Sequence, residues 1–231
     1  MMDKENPGLE VTILTIDHDL SEMDYKSLIR FVSDEKRRRI ERYHFYKDAQ
    51  NALISDILAR FEICKRTGLS NWQLHISANR YGKPYLVNDP HIQYNLSHSG
   101  NYIALAIDSK AVGIDIEQIK PIDIKIAERF FSKDEILYIT SHTRKMRTIA
   151  FYQIWTKKES YIKLEGKGLS IPLTSFSVLS QSSEKILYYN MRETADDAIC
   201  HVCTSRMEEP HCYPITLSMF LNKLNIGDLR L

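Results

Sequence analysis

Two carboxylates, Asp115 and Glu117, stand one residue apart in GIDIE, inside an otherwise apolar run, NYIALAIDSKAVGIDIEQIKP. A strand sends alternate side chains to opposite faces, so Ile114 and Ile116 share one side and Asp115 and Glu117 the other, roughly 6.5–7 Å apart along the chain. Converging side chains let both carboxylates reach one cation, and their repulsion invites a divalent metal or a shifted pKa. Gly113 beside them marks a place where another backbone comes close. A third carboxylate lies in FYQIWTKKESYIKLEGKGL, where Trp155, Glu159 and Lys163 recur at i, i+4 and i+8 along nearly one helix face. Three carboxylates suit Mg2+, which is held by a few carboxylates, waters and phosphate oxygens, and a neighbouring lysine favours a phosphate-bearing ligand. The plainer readings are a solvated strand face and a Glu159–Lys163 helix pair worth about 0.2–0.5 kcal/mol. The residues alone reach a metal-assisted site for a phosphorylated or pyrophosphate ligand, and leave transferase, hydrolase and binder open.

The elements that must position these groups follow from periodicity. EVTILTID alternates as a strand. Ser33 to Tyr46 is charged and helical in pattern, and Asp48 to Thr67 carries apolar residues at helical spacing up to Gly68. WQLHIS and HIQYNLSHSG read as strands, with a turn at RYGKPYL between them. YIALAID and AVGIDIE read as two strands of a hairpin through Ser109-Lys110. Ser132 to Glu135 fits a capping box opening a helix, and Arg147 to Glu165 is a long amphipathic helix ending at Gly166. SFSVLS, KILYYNM, DAICHVCT and PITLSMF read as short strands. FVSDEK (31–36) echoes FFSKDE (130–135), each followed by a long helix. Two similar α+β halves explain the echo, and the cleft between them is a natural ligand site.

Bulk properties exclude more than they assign. The chain has 231 residues, a formal net charge of +1 and 43% hydrophobic residues, which gives a substantial core and no global attraction to nucleic acid or membrane. No apolar run reaches the ~18–20 residues of a membrane span, and MMDKENPGLEV does not read as a signal peptide. Four cysteines do not make a disulfide framework in a chain of this size, so the cytosol is expected. Cys200 and Cys203 form CHVC, with His211 and Cys212 nearby. No second ligand pair has zinc-ribbon spacing, and thiols within a strand are the simpler reading.

GIDIEQIKP followed by FYQIWTKKESYIKLEGKGLSIPLTSFSV resembles the paired signature of the Sfp-type 4'-phosphopantetheinyl transferases. NLSHSG and YGKPYL match that family's upstream motifs. The resemblance implies an α+β fold of two pseudo-symmetric subdomains, each an antiparallel sheet packed by a long helix, with the active site in the cleft between them. It divides the chain into residues 1–110, carrying coenzyme A contacts, and 111–231, carrying metal ligands and carrier docking. The length fits the monomeric, two-half class. The implied reaction moves the 4'-phosphopantetheine arm of coenzyme A to a serine of an apo carrier protein of a peptide synthetase, polyketide synthase or fatty-acid system, leaving 3',5'-ADP. The alternative is a Mg2+-dependent hydrolase of a nucleotide-type pyrophosphate.

By the same resemblance Asp115, Glu117 and Glu159 hold Mg2+. Lys163 pairs with phosphate oxygen, and Glu159 is placed to take the proton of the carrier serine. Lys36, Arg39, Lys83, Ser97 and His98 match coenzyme A contacts. Gln50 and Asn51 stand where relatives often place an arginine. Glu135 aligns with an acidic position sometimes tied to the mechanism, but its place as third residue of a capping box favours a structural role. Carrier docking is expected over Pro121 to Phe131, with Lys120, Lys125 and Arg129 supplying charge and Ile122, Ile124, Phe130 and Phe131 apolar contact.

Overall fold

One structural plan occurs twice along the chain. The computed structural model describes residues 8–179, 186–191 and 196–224. Strand β1 (Glu10–Thr15) leads into α1 (Glu22–Leu28), α2 (Asp34–Ile40) and the 22-residue α3 (Tyr46–Thr67). A two-stranded ribbon, β2 (Ile76–Ala78) and β3 (Pro84–Leu86), precedes β4 (Gln93–Ser99) and β5 (Tyr102–Asp108). The second half opens with β6 (Val112–Gln118), α4 (Ala127–Phe130), α5 (Lys133–Ser141) and another 22-residue helix, α6 (Arg144–Glu165). It closes with β7 (Leu187–Asn190) and β8 (Ala198–Thr204). In each half the first strand pairs antiparallel with the last, β1 with β5 and β6 with β8. The sheets β4-β5-β1 and β7-β8-β6 therefore correspond strand for strand. The tail then returns to the first sheet: β9 (His211–Thr216) pairs parallel with β1 and leads into α7 (Leu217–Lys223).

Local chemistry explains the helix boundaries. Ser33 caps α2 through the Lys36 N–H, and the Ser132/Glu135 capping box opens α5. Both long helices stop at a glycine in the left-handed region, Gly68 at φ 75° and Gly166 at φ 64°, where a side chain would be strained. The start of α3 at Tyr46 and of α6 at Arg144 extends each expected helix by a few residues. PITLSMF divides between β9 and α7, because Thr216 caps a helix there. SFSVLS forms no strand through Leu179; Ser180, Lys185 and the N-terminal residues 1–7 lie outside the described residues.

The layers run α3, first sheet, second sheet, α6. Ile103, Leu105 and Ile107 of β5 pack toward α3, whereas Ala104 and Ala106 pack against Ile114 and Ile116 of β6. Period-2 alternation thus buries both faces of each sheet, and Gly113, Asp115 and Glu117 are left facing α6. The expected β5–β6 hairpin does not form. Both edges of β5 are already taken by β1 and β4, and β6 pairs with β8 from the far end of the chain. Ser109-Lys110 instead carries the chain from one sheet to the other. Asp108 at this crossing is fully buried and is gripped by Arg206, whose Nε donates to both carboxylate oxygens at 2.8 and 2.7 Å. The CHVC thiols lie in β8, three apart on opposite faces, both buried, so one metal cannot be shared between them.

Gly113 is where α6 meets β6 backbone to backbone. A Cβ there would stand 1.9 Å from the Ser160 carbonyl oxygen and 2.4 Å from the Leu164 nitrogen. No rotamer relieves that clash, so Gly113→Ala must push the helix off the strand. We expect a stability loss of about 3 kcal/mol, at the upper end for overpacking, and a Tm lower by roughly 6–12 °C. An unchanged Tm in differential scanning calorimetry would contradict the close packing.

Candidate active site

The close approach at Gly113 carries the C-terminal half of α6 over the acidic face of β6. Lys163 Nζ donates to Asp115 Oδ1 at 2.6 Å and to Ser97 Oγ at 2.8 Å. Ser97 in turn donates to the same Asp115 oxygen at 2.8 Å. Three elements, β4, β6 and α6, meet at one carboxylate that is 3% exposed. Its other oxygen, Oδ2, is buried without a hydrogen-bond partner. Burial pushes the Asp115 carboxyl above its ordinary range, against the pull of Lys163 and Ser97.

Glu117 and Glu159 complete the acidic set. Burial raises both pKa values. The Asp115 charge adds to the rise in each, and Glu117 adds to that of Glu159. Hydrogen bonds from Ser99 and the Trp155 side chain work in the other direction on Glu117. Glu117 and Glu159 thus both sense the Asp115 charge, with Lys163 as the cation that acts on all three.

Strand β4 is the second wall of the site, and its sequence explains how it meets β6. Tyr94 and Leu96 pack toward α3, while Asn95, Ser97 and Ser99 face the outer edge of β6. Asn95 Oδ1 accepts the Ile114 N–H at 2.8 Å, and Ser99 Oγ accepts the Gln118 N–H at 3.1 Å. Ser99 also donates to Glu117 Oε2 at 2.5 Å. Small polar side chains at period 2 therefore satisfy backbone groups that an edge strand would otherwise leave open. Ser99 and Asn95 were not read as site residues. The signal was present in the alternation of NLSHS, but nothing local says which strand that face meets.

The cationic residues divide into two groups. His98 stands exposed on the β4 rim, and partial burial, then Lys163 and Lys36, push its imidazole below the ordinary value. Lys36 of α2 and Lys163 thus both act on His98, and Lys36 also lies 3.6 Å from Asp56. Arg39 is exposed one turn further along α2. Lys83 lies elsewhere: its Nζ donates to the carbonyls of Val112 at 3.0 Å and Leu164 at 3.1 Å. Asn79 beside it donates to the Gly166 carbonyl at 2.7 Å. The YGKP turn thus clamps the C-terminus of α6, where a cation suits the helix dipole.

Three further expected residues have structural surroundings. Glu135 closes its capping box with the Ser132 N–H at 2.9 Å, accepts the Val178 N–H at 2.8 Å, and pairs with fully buried Lys158 at 2.9 Å. Gln50 accepts the Leu20 N–H at 2.6 Å, and Asn51 donates to the Gly100 carbonyl at 3.0 Å. At 121–131, Phe131 is buried and Ile122, Ile124 and Phe130 pack partly against the α6 core. Phe131 is therefore core rather than docking surface, whereas Lys120, Lys125, Ile126 and Arg129 are exposed.

A carboxylate trio facing a cationic rim, held between two α+β halves, defines a site for an anionic, phosphate-bearing ligand. Residues 111–217 match the model of the 4'-phosphopantetheinyl transferase superfamily, and residues 19–110 match that of the 4'-phosphopantetheinyl transferase N-terminal region. The chain is 44% identical over 163 residues to 4'-phosphopantetheinyl transferase ffp of Bacillus subtilis, covering 71% of this chain and 73% of that protein. With 4'-phosphopantetheinyl transferase Sfp of Bacillus subtilis strain 168 the identity is 42% over the same shares. With 4'-phosphopantetheinyl transferase gsp of Aneurinibacillus migulanus it is 35% over 180 residues, 78% of this chain and 75% of that one. The chain belongs to the 4'-phosphopantetheinyl transferase family and is a coenzyme A-dependent transferase. No helix among the described residues is long and apolar enough to cross a membrane.

The Lys83 clamp has a pH signature. Burial lowers its pKa from 10.5 to about 8. Between those values the unfolded chain binds more protons than the folded one, so this group's contribution to stability rises with pH. Below pH 8 Lys83 is charged in both states and its burial cost is fully present. Relative to Lys83→Met, the wild type should gain on the order of 2 kcal/mol between pH 7.5 and pH 10. A difference that stays flat in urea unfolding across that range would contradict the buried ammonium.

Proposed function

We propose that the chain binds coenzyme A with its pyrophosphate over Asp115, Glu117, Glu159 and Lys163, and transfers the 4'-phosphopantetheine arm to a serine of an apo carrier protein. The convergence of β4, β6 and α6 on Asp115 carries this reading, because it concentrates charge where a pyrophosphate would sit. As they lie, no three His, Cys, Asp or Glu side chains among the described residues are grouped closely enough to hold a metal ion. The donor set nevertheless fits a hard cation: carboxylate oxygens only, with Asp115 Oδ2 buried and unpartnered. We therefore assign Mg2+ to Asp115, Glu117 and Glu159; when bound, it supplies charge neutralisation at the pyrophosphate.

The protein's own groups do the rest. Lys163 moves from carboxylate partner to phosphate partner with little displacement, since it already bridges β4 and β6. Lys36, Arg39 and His98 offer positive charge or N–H donors to the nucleotide end, and Ser97 offers its hydroxyl. Lys83 contributes by holding the end of α6 in place. The carrier serine oxygen attacks the phosphorus nearer the pantetheine, the bond to the bridging oxygen breaks, and 3',5'-ADP leaves. Glu159 takes the serine proton; burial, and then the charges of Asp115 and Glu117, raise its pKa and make it a stronger base. Lys120, Lys125, Arg129 and Ile126 form the surface for an acidic carrier domain. We further propose that residues 1–110 and 111–231 work as two halves, the returning β9 tying the second to the first.

Full-length protein, apo peptidyl carrier domain, coenzyme A and Mg2+ should yield a carrier heavier by roughly 340 Da, the mass of the arm moved by this phosphoryl transfer. The gain should vanish with EDTA and in Asp115→Ala, and Glu159→Gln should lower kcat by about 10²–10⁴-fold. Coenzyme A cleaved in solution, with no carrier modified, would replace the transferase reading with a pyrophosphate hydrolase.

A further inference from the structure

Among the side chains touching the acidic set, Ser99 is matched by no carried-over role, yet its geometry is the most constrained. Its hydroxyl donates to Glu117 Oε2 at 2.5 Å while its oxygen accepts the Gln118 N–H at 3.1 Å. A serine hydroxyl has one proton, and here that proton is committed to the carboxylate because the backbone N–H occupies the oxygen's acceptor side. The Glu117 side chain is thereby referenced to the backbone of its own strand, one residue on. Ser97 likewise donates to Asp115, but its oxygen accepts Lys163 rather than a backbone N–H of β6. Gly100 follows Ser99 at φ 58°, and a Cβ there would lie 1.9 Å from the Gln118 side-chain oxygen.

We propose that Ser99 is a positioning residue for cation binding, holding one oxygen of Glu117 so that the other is presented to the divalent ion. This rests on the metal reading above. Outer groups of this kind change metal affinity by about 10–100-fold when removed, through the orientation and basicity of the ligand rather than through direct contact. Threonine keeps the hydroxyl, whereas alanine removes it and leaves the Gln118 N–H unsatisfied.

The test is Mn2+ affinity of the full-length protein with saturating coenzyme A and no carrier, read from the electron paramagnetic resonance of free Mn2+. Ser99→Ala should weaken Mn2+ about 10–100-fold, and Ser99→Thr should restore it to within a few-fold. In a Glu117→Gln background, Ser99→Ala should have little further effect, because its route to the ion is gone. Equal Mn2+ affinity in wild type and Ser99→Ala overturns the proposal. So does a full Ser99→Ala effect that persists in Glu117→Gln, since that places its action outside Glu117. Failure of Asp115→Asn to weaken Mn2+ in the same assay overturns the metal reading itself. A loss confined to Tm, with Mn2+ affinity intact, makes Ser99 structural only.

Discussion

Everything in this molecule that bears on chemistry depends on how the free edge of β6 is covered. An edge strand needs partners for its outward backbone groups, and here another strand supplies them with side chains instead of a ladder. Asn95 and Ser99 of β4 take the Ile114 and Gln118 N–H groups, and Ser97 turns to Asp115 between them. The same contact joins the two halves of the fold and orients the acids. Larger side chains on this face of β4 would separate the sheets and the carboxylates together.

The other side of β6 is bound by an equally strict condition. Gly113 admits the α6 backbone, so Glu159 and Lys163 arrive over Asp115 and Glu117 without a layer of apolar side chains between. The arrangement is electrostatically costly. Burial raises the pKa of all three carboxylates, the Asp115 charge adds to the rise in Glu117 and Glu159, and Lys163 works in the opposite direction on each. Stability is supplied elsewhere, by the two stacked sheets and by buried pairs such as Lys158–Glu135 and Arg206–Asp108. A site that costs its own fold stability is common where charges are clustered for function.

Much of this was legible in the sequence because it is local. The period-2 run placed Asp115 and Glu117 on one face, the i, i+4 spacing placed Glu159 above Lys163, and Gly68 and Gly166 ended the long helices. The echo between FVSDEK and FFSKDE marked the repeated plan, which the matching strand orders bear out. What local patterns missed is non-local. Whether β6 pairs with β5 or with β8 is decided by strands some eighty residues away. Lys83, which by resemblance matches a coenzyme A contact, donates to one carbonyl at the start of β6 and one at the end of α6. Phe131, expected as an apolar docking contact beside Phe130, is buried by Phe151 and Trp155 from a helix further along. Asn95 and Ser99 carried the right periodicity, but their partner strand could be named only once the two sheets were stacked.

The central claim is that Asp115, Glu117 and Glu159, brought together by β4, β6 and α6, hold the cation that meets the pyrophosphate. Its most direct test is a crystal of the protein with Mn2+ and coenzyme A, measured at the manganese absorption edge. The account predicts one anomalous peak in contact with all three carboxylates and with the pyrophosphate, and Lys163 moved onto phosphate oxygen. A peak held by the pyrophosphate alone, with Lys163 still on Asp115, would contradict it.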